Sequence, residues 1–315
     1  MDYKHILKVF KAIRPRQWIK NFAVFAPIVF TGQLFNYSVF IPAFFAFLTF
    51  CFISSASYLI NDLLDVERDK LHPFKKLRPI ASGDVSKKEA LIVSFILFAI
   101  GISLAYGLGI LFFAVTLFYS LLHLAYSLVF KHIPILDIIV IASAYFLRVL
   151  AGEAATGFFI TIWLRLTVFS LSLFLAIGKR RCELTLLSAQ KADIISRARP
   201  TLGHYTEKLL DIYTAMFANS TWLAYSFYTF FDKPPTLRRA VGEFFTDVFP
   251  GLYERKWLMI TIPFVLYGIM RYMQLIYEKS EGESPEKVLL SDRPLLISVV
   301  LWGLTVIGVI YILGS

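Results

Sequence analysis

Residues 47–69 read FLTFCFISSASYLINDLLDVERD, an apolar run that is followed at once by four acidic residues. The chain around it has 315 residues, of which 57% are hydrophobic and 17% aromatic, and its mean hydropathy is positive. Ordinary soluble domains do not have this composition. The sequence therefore predicts an integral membrane protein whose chemistry lies where the apolar segments end.

A membrane-spanning helix needs about 20 mainly apolar residues. Segments of this length predict an all-α polytopic membrane protein, a single transmembrane helical domain over residues 1–315 with about nine helices. The predicted spans are residues 18–36, 38–60, 89–106, 109–130, 135–152, 160–177, 209–231, 257–277 and 294–313.

Lys and Arg residues are distributed unevenly between the two ends of these spans. Most of them lie in the N-terminal tail and in the connections after spans 2, 4, 6 and 8, whereas the other connections, apart from 232–256, contain none. Cytoplasmic loops carry the excess of positive charge, so the N-terminus is predicted to be cytoplasmic. Residues 1–17 combine lysines with Ile6, Leu7 and Phe10, which predicts a basic helix lying on an anionic leaflet.

The cytoplasmic connection 61–88 begins with an acidic cluster. Asp62, Asp65 and Asp69 follow an i, i+3, i+7 spacing, and Asn61, Asp65 and Asp69 follow an i, i+4, i+8 spacing. If the preceding helix continues, the residues of each set lie on one face of it. Carboxylates stacked in this way repel one another unless a cation lies between them. Mg²⁺ suits such a place, because it prefers oxygen ligands and usually binds substrate phosphates as well as protein carboxylates. The pattern predicts a magnesium site for a diphosphate. The alternative is a solvated loop whose acids pair with Arg68, Lys70, Lys75, Lys76 and Arg78.

A second cytoplasmic connection, 178–208, begins with three basic residues. Lys179, Arg180 and Arg181 follow the sixth predicted span directly. Arg and Lys side chains at this end of the bundle could bind phosphate oxygens. Alternatively, these basic residues are only a topology signal that keeps the loop in the cytoplasm.

Polar residues also lie within the spans. Tyr119, His123 and Tyr126 form a stripe on span 4, which must face the bundle interior or a wet cavity because lipid cannot satisfy it. His123 is interpreted either as a packing residue or as part of a site, and Lys131, just beyond the stripe, is a candidate phosphate ligand. Arg148 lies three turns after Asp137, so the two are predicted to pair or to share an anionic ligand.

The stretch NDLLDVERD resembles the NDxxDxxxD motif of the UbiA superfamily of intramembrane prenyltransferases. This resemblance implies a bundle of nine helices with a cytoplasmic-side active site, in the plasma membrane of a bacterium or archaeon. In that superfamily the motif binds Mg²⁺ and the diphosphate of the substrate. Carried over to this chain, it implicates Asn61, Asp62, Asp65 and Asp69 as metal ligands, with the three aspartates as the catalytic residues.

The resemblance is closer to one branch, decaprenyl-phosphate phosphoribosyltransferase. It rests on RPRQWIKN at 14–21, HPFKKLRPIASG at 72–83, YSLVFKHIPILD at 126–137, LRVLAG at 147–152 and FLAIGKRRCEL at 174–184. Prenyltransferases of the superfamily usually carry a second aspartate-rich motif after span 6, where this chain has its basic cluster. The cluster fits a donor with an additional phosphate, such as 5-phosphoribosyl 1-diphosphate, better than a prenyl diphosphate.

The resulting hypothesis is transfer of the phosphoribosyl group from 5-phosphoribosyl 1-diphosphate to a polyprenyl phosphate, with Mg²⁺ as cofactor and without a nucleic-acid partner. The candidate substrate-binding residues are Arg16, Lys20, Asn61, Arg78, Tyr126, Lys131, Arg148, Lys179, Arg180 and Arg181. A UbiA-type prenyltransferase with an aromatic or lipid acceptor and a non-enzymatic lipid transporter are the alternatives. The sequence allows a homo-oligomer without predicting one.

Overall fold

The computed structural model describes residues 3–71, 75–188, 200–231, 256–279 and 285–313. These residues form helices joined by turns and include no strand. The α-helices are α1 Tyr3–Ala12, α2 Ala26–Phe30, α3 Tyr37–Leu64, α4 Val66–Leu71, α5 Lys87–Gly107, α6 Ile110–Leu128, α7 Leu136–Thr156, α8 Ile162–Ser188, α9 Glu207–Phe231, α10 Ile262–Lys279, α11 Pro285–Ser291 and α12 Arg293–Ile307. A 3₁₀ helix, Pro15–Phe25, precedes α2 and is called the 3₁₀ segment below.

Seven stretches of the described helices are long and apolar enough to cross a membrane. They begin at Tyr37, Lys87, Ile110, Leu136, Ile162, Trp257 and Arg293. An all-α integral membrane protein is therefore confirmed, but a total of nine spans is not.

The other two predicted spans have a different character. The first, 18–36, comprises most of the 3₁₀ segment, then α2 and a turn, so it is not one continuous α-helix. The seventh, 209–231, is the 25-residue helix α9, whose Thr, Ser and Asn residues lower its hydropathy. The connection 232–256 lies outside the described residues except for Lys256.

Helices α3 and α7 form the centre of the bundle. In their most apolar 18 residues, 56% of positions are buried, against 22% in α5, α6 and the last span. Phe50 and Ile53 of α3 pack with Leu147 of α7 and with Phe112 of α6 in one core cluster. Polar side chains on α3 and α7 are therefore enclosed by protein, whereas the outer helices present apolar residues such as Phe95 to lipid.

Both predicted cytoplasmic loops begin as helix. Helix α3 continues past the predicted boundary to Leu64 but breaks at Asp65, whose φ of −100° and ψ of 6° end it, so the single helix that the acidic spacing assumed stops before Asp69. Asp69 therefore lies on the separate helix α4. Helix α8 continues to Ser188, so residues 178–188 are helical and the predicted loop 178–208 begins later. Residues 189–199 of that loop lie outside the described residues.

The N-terminal helix predicted from residues 1–17 is present as α1. Val9, Ala12 and Ile13 pack on a cluster that includes Leu59 and Ile80. The opposite face leaves apolar side chains about half exposed, namely Ile6, Leu7 and Phe10. This arrangement is typical of a helix that lies along a membrane surface, and that location remains a prediction.

Gly152 allows the 3₁₀ segment to lie directly against α7. A Cβ atom added at this glycine would lie 2.0 Å from the carbonyl oxygen of Val24 and 2.9 Å from its carbonyl carbon. These are backbone atoms, so no rotamer change can relieve the clash. The position of the 3₁₀ segment relative to α7 therefore depends on the absence of a side chain at Gly152.

We expect Gly152→Ala to destabilise the protein by about 1–3 kcal/mol because the two backbones must separate. Thermal unfolding of the purified protein in detergent measures this. Gly303→Ala is the matched control, since it is also within a helix and an added Cβ would meet nothing within 4 Å. Equal unfolding temperatures for the two variants would contradict the close approach.

Candidate active site

A cavity of about 220 Å³ lies among α3, α6, α7, α8, the 3₁₀ segment and α11. It is rich in charge, with eight basic side chains against four carboxylates. The basic residues are Arg14, Lys20, Arg68, Lys75, Arg78, Lys131, Arg148 and Lys179, and the carboxylates are Asp65, Asp69, Glu183 and Glu286. An excess of positive charge in a cleft favours an anionic ligand.

The predicted acidic cluster forms one wall of this cavity. Asn61, Asp65 and Asp69 line it, whereas Asp62 is only 3% exposed and lies behind. Arg78 donates to Asp62 at 3.1 Å and to Asp69 at 2.6 Å, so one guanidinium joins two carboxylates. Basic side chains thus hold the acids together, as in the alternative interpretation of the sequence, but in a buried cavity and not in a solvated loop.

Lys131 and Ser127 complete this wall from the end of α6. Lys131 donates to Asp65 at 2.7 Å and is itself 8% exposed. Ser127 donates to the side-chain oxygen of Asn61 at 3.0 Å. The polar stripe of span 4 ends at the same place, since His123 and Tyr126 also line the cavity, whereas Tyr119 is fully buried below them.

The acidic wall suits a divalent cation in its chemistry. Burial raises the pKa of Asp69, the Arg78 guanidinium partly offsets this rise, and the neighbouring charge of Asp62 adds to it. Within the described residues, no three His, Cys, Asp or Glu side chains converge on one point. Mg²⁺ is usually held by one or two carboxylates together with substrate phosphates. Asp65 and Asp69, which line the cavity beside Asn61, supply two carboxylates for such a site, so the donor set fits the ion.

Arg14, which was not among the predicted site residues, anchors this wall. It donates to both oxygens of Asp62, at 2.5 and 2.7 Å. Its φ of 56° and ψ of 60° are left-handed, a conformation that non-glycine residues rarely adopt and that concentrates at functional sites.

The start of the 3₁₀ segment places residues three apart on the cavity side. Arg14, its N-cap, and Gln17 and Lys20 within it line the cavity, as three residues per turn require. Lys20 was predicted, and its Nζ lies 3.0 Å from Glu286 of α11. Arg16, also predicted, is exposed and is not part of the lining. A period of three in RPRQWIKN is the signal that would have found Gln17.

The end of the cavity furthest along α7 is formed by Arg148. It donates to Asn21 at 2.8 Å, to the carbonyl of Ala144 at 2.5 Å and to the hydroxyl of Tyr119 at 2.8 Å. Among the described residues all its hydrogen-bond acceptors are neutral, and the predicted pairing with Asp137 does not occur. Arg148 therefore adds a buried positive charge to the cavity.

The three consecutive basic residues of α8 point in different directions. Lys179 lines the cavity, but Arg180 is fully buried beside it, with Asp137 at 2.7 Å and Glu183 at 2.6 Å, and it donates to Tyr126 at 3.0 Å. Arg181 lies on another face and donates to Asp211 at 3.0 Å. Successive helical residues are about 100° apart, so a cluster in sequence is not a cluster in space. The geometry favours Lys179 as a ligand and gives Arg180 a structural role.

The chain belongs to the UbiA prenyltransferase family, whose model matches residues 22–291. It is 33% identical to decaprenyl-phosphate phosphoribosyltransferase of Corynebacterium glutamicum over 308 residues, which is 96% of this chain and 86% of that protein. It is 34% identical to the protein of the same name from Mycolicibacterium smegmatis over 307 residues, covering 96% of this chain and 92% of the relative. The resemblance seen in the sequence is confirmed.

Solved structures agree on the fold. A UbiA homolog from Archaeoglobus fulgidus, bound to GPP and Mg²⁺, has a TM-score of 0.68 and 20% sequence identity, covering 96% of this chain and 99% of that one. A structure concerned with digeranylgeranylglyceryl phosphate synthase has a TM-score of 0.61 at 16% identity, covering 98% of this chain and 100% of that one. At these identities the likeness establishes the shared helical fold.

Arg180→Gln is expected to destabilise the protein by about 3–5 kcal/mol, because it leaves Asp137 and Glu183 buried without their cation. Arg181→Gln, whose partner Asp211 is partly exposed, should cost about 1 kcal/mol or less. Thermal unfolding of both variants in detergent provides the comparison. Similar losses for the two substitutions would show that Arg180 has no such structural role.

Proposed function

We propose that this protein transfers the 5-phosphoribosyl group from 5-phosphoribosyl 1-diphosphate to a polyprenyl phosphate of decaprenyl type and releases diphosphate. The observation that carries the proposal is the charge of the cavity, in which eight basic residues surround an acidic wall. A donor with a diphosphate and a separate monophosphate needs both features, carboxylates for the cation at its diphosphate and basic side chains for its phosphate oxygens. The near full-length similarity to phosphoribosyltransferases supports the same reaction.

The diphosphate of the donor is placed at the acidic wall, next to Asn61, Asp65 and Asp69. A divalent cation, Mg²⁺ in this proposal, would neutralise the diphosphate there and make it a better leaving group. Asp62 acts from behind the wall by holding Arg14 and Arg78 in position. These two guanidiniums can hydrogen-bond phosphate oxygens as they now bond carboxylates.

The phosphate on carbon 5 requires basic residues other than those that hold the acidic wall together. Lys75 and Lys179 also line the cavity. Lys75 Nζ lies 3.7 Å from Glu183, a long separation that a phosphate could replace. Division of the donor between an acidic wall and a lysine-rich wall fixes its orientation, which positions the anomeric carbon for attack.

The reaction breaks the bond between the anomeric carbon and the diphosphate oxygen, and the electron pair leaves with diphosphate. An oxygen of the lipid phosphate forms the new bond to that carbon. The carbon passes through an oxocarbenium-like state, as in glycosyl transfer generally. The attacking oxygen is already anionic, so the chain needs no general base, and its lining charges act by electrostatic stabilisation.

The acceptor explains the membrane location. Its apolar tail can remain beside the lipid-facing residues of the outer helices while its phosphate enters the cavity. Arg148 offers that phosphate, or the donor, a buried positive charge whose described acceptors are all neutral. Binding an anion there would compensate the cost of burying an arginine.

The choice of donor tests the proposal directly. Membranes that contain this protein should convert labelled 5-phosphoribosyl 1-diphosphate and decaprenyl phosphate into a labelled lipid and release diphosphate in equal amount. A prenyl diphosphate should transfer no label. Transfer from the prenyl donor alone would make the protein a prenyltransferase, and binding without turnover of either donor would favour a transporter.

Asp65→Asn is expected to lower kcat/KM for the sugar donor by at least about 100-fold, because the wall loses a carboxylate that the bound cation needs. Asp84→Asn is the matched control, since Asp84 pairs with Lys8 at 2.6 Å on the exposed surface. Transfer rates are measured with both variants at the same Mg²⁺ concentration. Full activity of Asp65→Asn would remove the acidic wall from the mechanism.

A further inference from the structure

The connection between α6 and α7, residues 129–135, carries Lys131 and is called the α6–α7 turn below. Lys131 donates to Asp65 at 2.7 Å, so the position of this turn sets the position of a basic side chain on the acidic wall. Ile135, the last residue of the turn, has a φ of 69° and a ψ of −49°. A β-branched residue rarely adopts a positive φ, and such a conformation persists only where its surroundings enforce it.

The contact that enforces this conformation is made by the backbone of Ile135. Its side chain is 52% exposed, so side-chain packing does not explain the positive φ. Its N–H donates to the hydroxyl of Tyr205 at 2.5 Å. The same hydroxyl donates at 2.7 Å to Asp137, in the first turn of α7. Tyr205 thus ties the end of the α6–α7 turn to the start of the helix that follows.

Tyr205 is itself held in place by the core. It is 5% exposed and packs with the fully buried Leu202 in a core cluster formed with α7 and α8. Tyr205 directly follows a short 3₁₀ helix, Pro200–His204. From this helix, Thr201 donates to the carbonyl oxygen of Lys131 at 3.4 Å. Thr201 and Tyr205 therefore contact the α6–α7 turn at Lys131 and at its last residue.

Asp137 connects Tyr205 to the buried charges of α8. One of its oxygens accepts from Tyr205, and the other lies 2.7 Å from Nε of Arg180, which donates to the cavity-lining Tyr126. Burial raises the pKa of Tyr205, and the neighbouring Asp137 carboxylate adds to this rise. The Tyr205 hydroxyl therefore keeps its proton and donates it to a carboxylate that α8 holds fixed.

We propose that Tyr205 is a positioning residue, which holds the α6–α7 turn so that Lys131 reaches the acidic wall and the donor diphosphate bound there. This inference rests on the proposed function, in which that wall receives the diphosphate. Tyr205 is not part of the cavity lining and acts through the backbone of the turn.

Loss of the Tyr205 hydroxyl releases the turn. In Tyr205→Phe the Ile135 N–H has no acceptor at this place, and the backbone of Ile135 can return to the negative φ that a β-branched residue prefers. That rotation moves the α6–α7 turn, and Lys131 with it, away from Asp65. Partners that orient the groups of a metal site from behind typically change affinity or activity by about 10- to 100-fold when they are removed.

The test measures binding of labelled 5-phosphoribosyl 1-diphosphate to the purified protein in the presence of Mg²⁺, so the result does not depend on turnover. Tyr205→Phe should weaken binding by about 10-fold or more. In a Lys131→Met background the same substitution should change binding by less than about 2-fold, because the side chain that Tyr205 positions is absent. A role confined to stability would give no such dependence on Lys131.

Tyr225→Phe is the matched control. Tyr225 is also buried and its hydroxyl also makes two hydrogen bonds, with Trp302 at 2.8 Å and with Thr261 at 2.6 Å, but it does not line the cavity. This variant should lower the unfolding temperature as Tyr205→Phe does and leave donor binding unchanged. If Tyr205→Phe does not fold, Thr201→Val carries the test, because it removes the contact to the Lys131 carbonyl and should weaken binding in the same Lys131-dependent way.

Donor binding as in the parent, or an equal loss with and without the Lys131 side chain, would overturn the inference and leave the proposed reaction intact. Failure of the parent protein to bind 5-phosphoribosyl 1-diphosphate at all would instead overturn the proposed function.

Discussion

The ion pair between Arg14 and Asp62 is the contact on which the rest of the site depends. Asp62 is buried at the end of α3, so its charge requires a partner, and Arg14 supplies two hydrogen bonds to it. This pair fixes where the 3₁₀ segment begins relative to α3. Gln17 and Lys20 are then carried into the cavity by the three-residue repeat, and they in turn hold Glu286 of α11. One buried pair thus aligns elements from both ends of the chain.

The cavity is built from charges that the bundle buries together. Asp62, Asp65 and Asp69 would repel one another alone, and each is accompanied by Arg14, Arg78 or Lys131 at hydrogen-bond distance. Because the basic side chains outnumber the carboxylates, the lining is positive even after these pairs are counted. An anionic ligand would therefore complete a charge balance that the described residues leave uneven.

The sequence was sufficient for the features that follow from hydropathy and regular spacing. Long apolar runs identified the helices that can span a membrane, and the acidic stretch after the second predicted span supplies Asp65 and Asp69 to the cavity, although the single helix assumed for it breaks at Asp65. It failed where local geometry decides. Arg16 was a candidate and Arg14 was not, although the 3₁₀ winding of this segment brings Arg14, and not Arg16, to the cavity. Arg180 was interpreted as a ligand because the extension of α8 to Ser188, and hence the directions of its side chains, depends on tertiary partners such as Asp137.

The winding of residues 15–30 has a further consequence for length. Eleven residues at about 2.0 Å each and five at about 1.5 Å each reach roughly 30 Å, close to the thickness of the hydrocarbon core of a bilayer. The same sixteen residues as a regular α-helix would extend only about 24 Å. The 3₁₀ winding thus makes this proline-started stretch about 6 Å longer than an α-helix of the same residues.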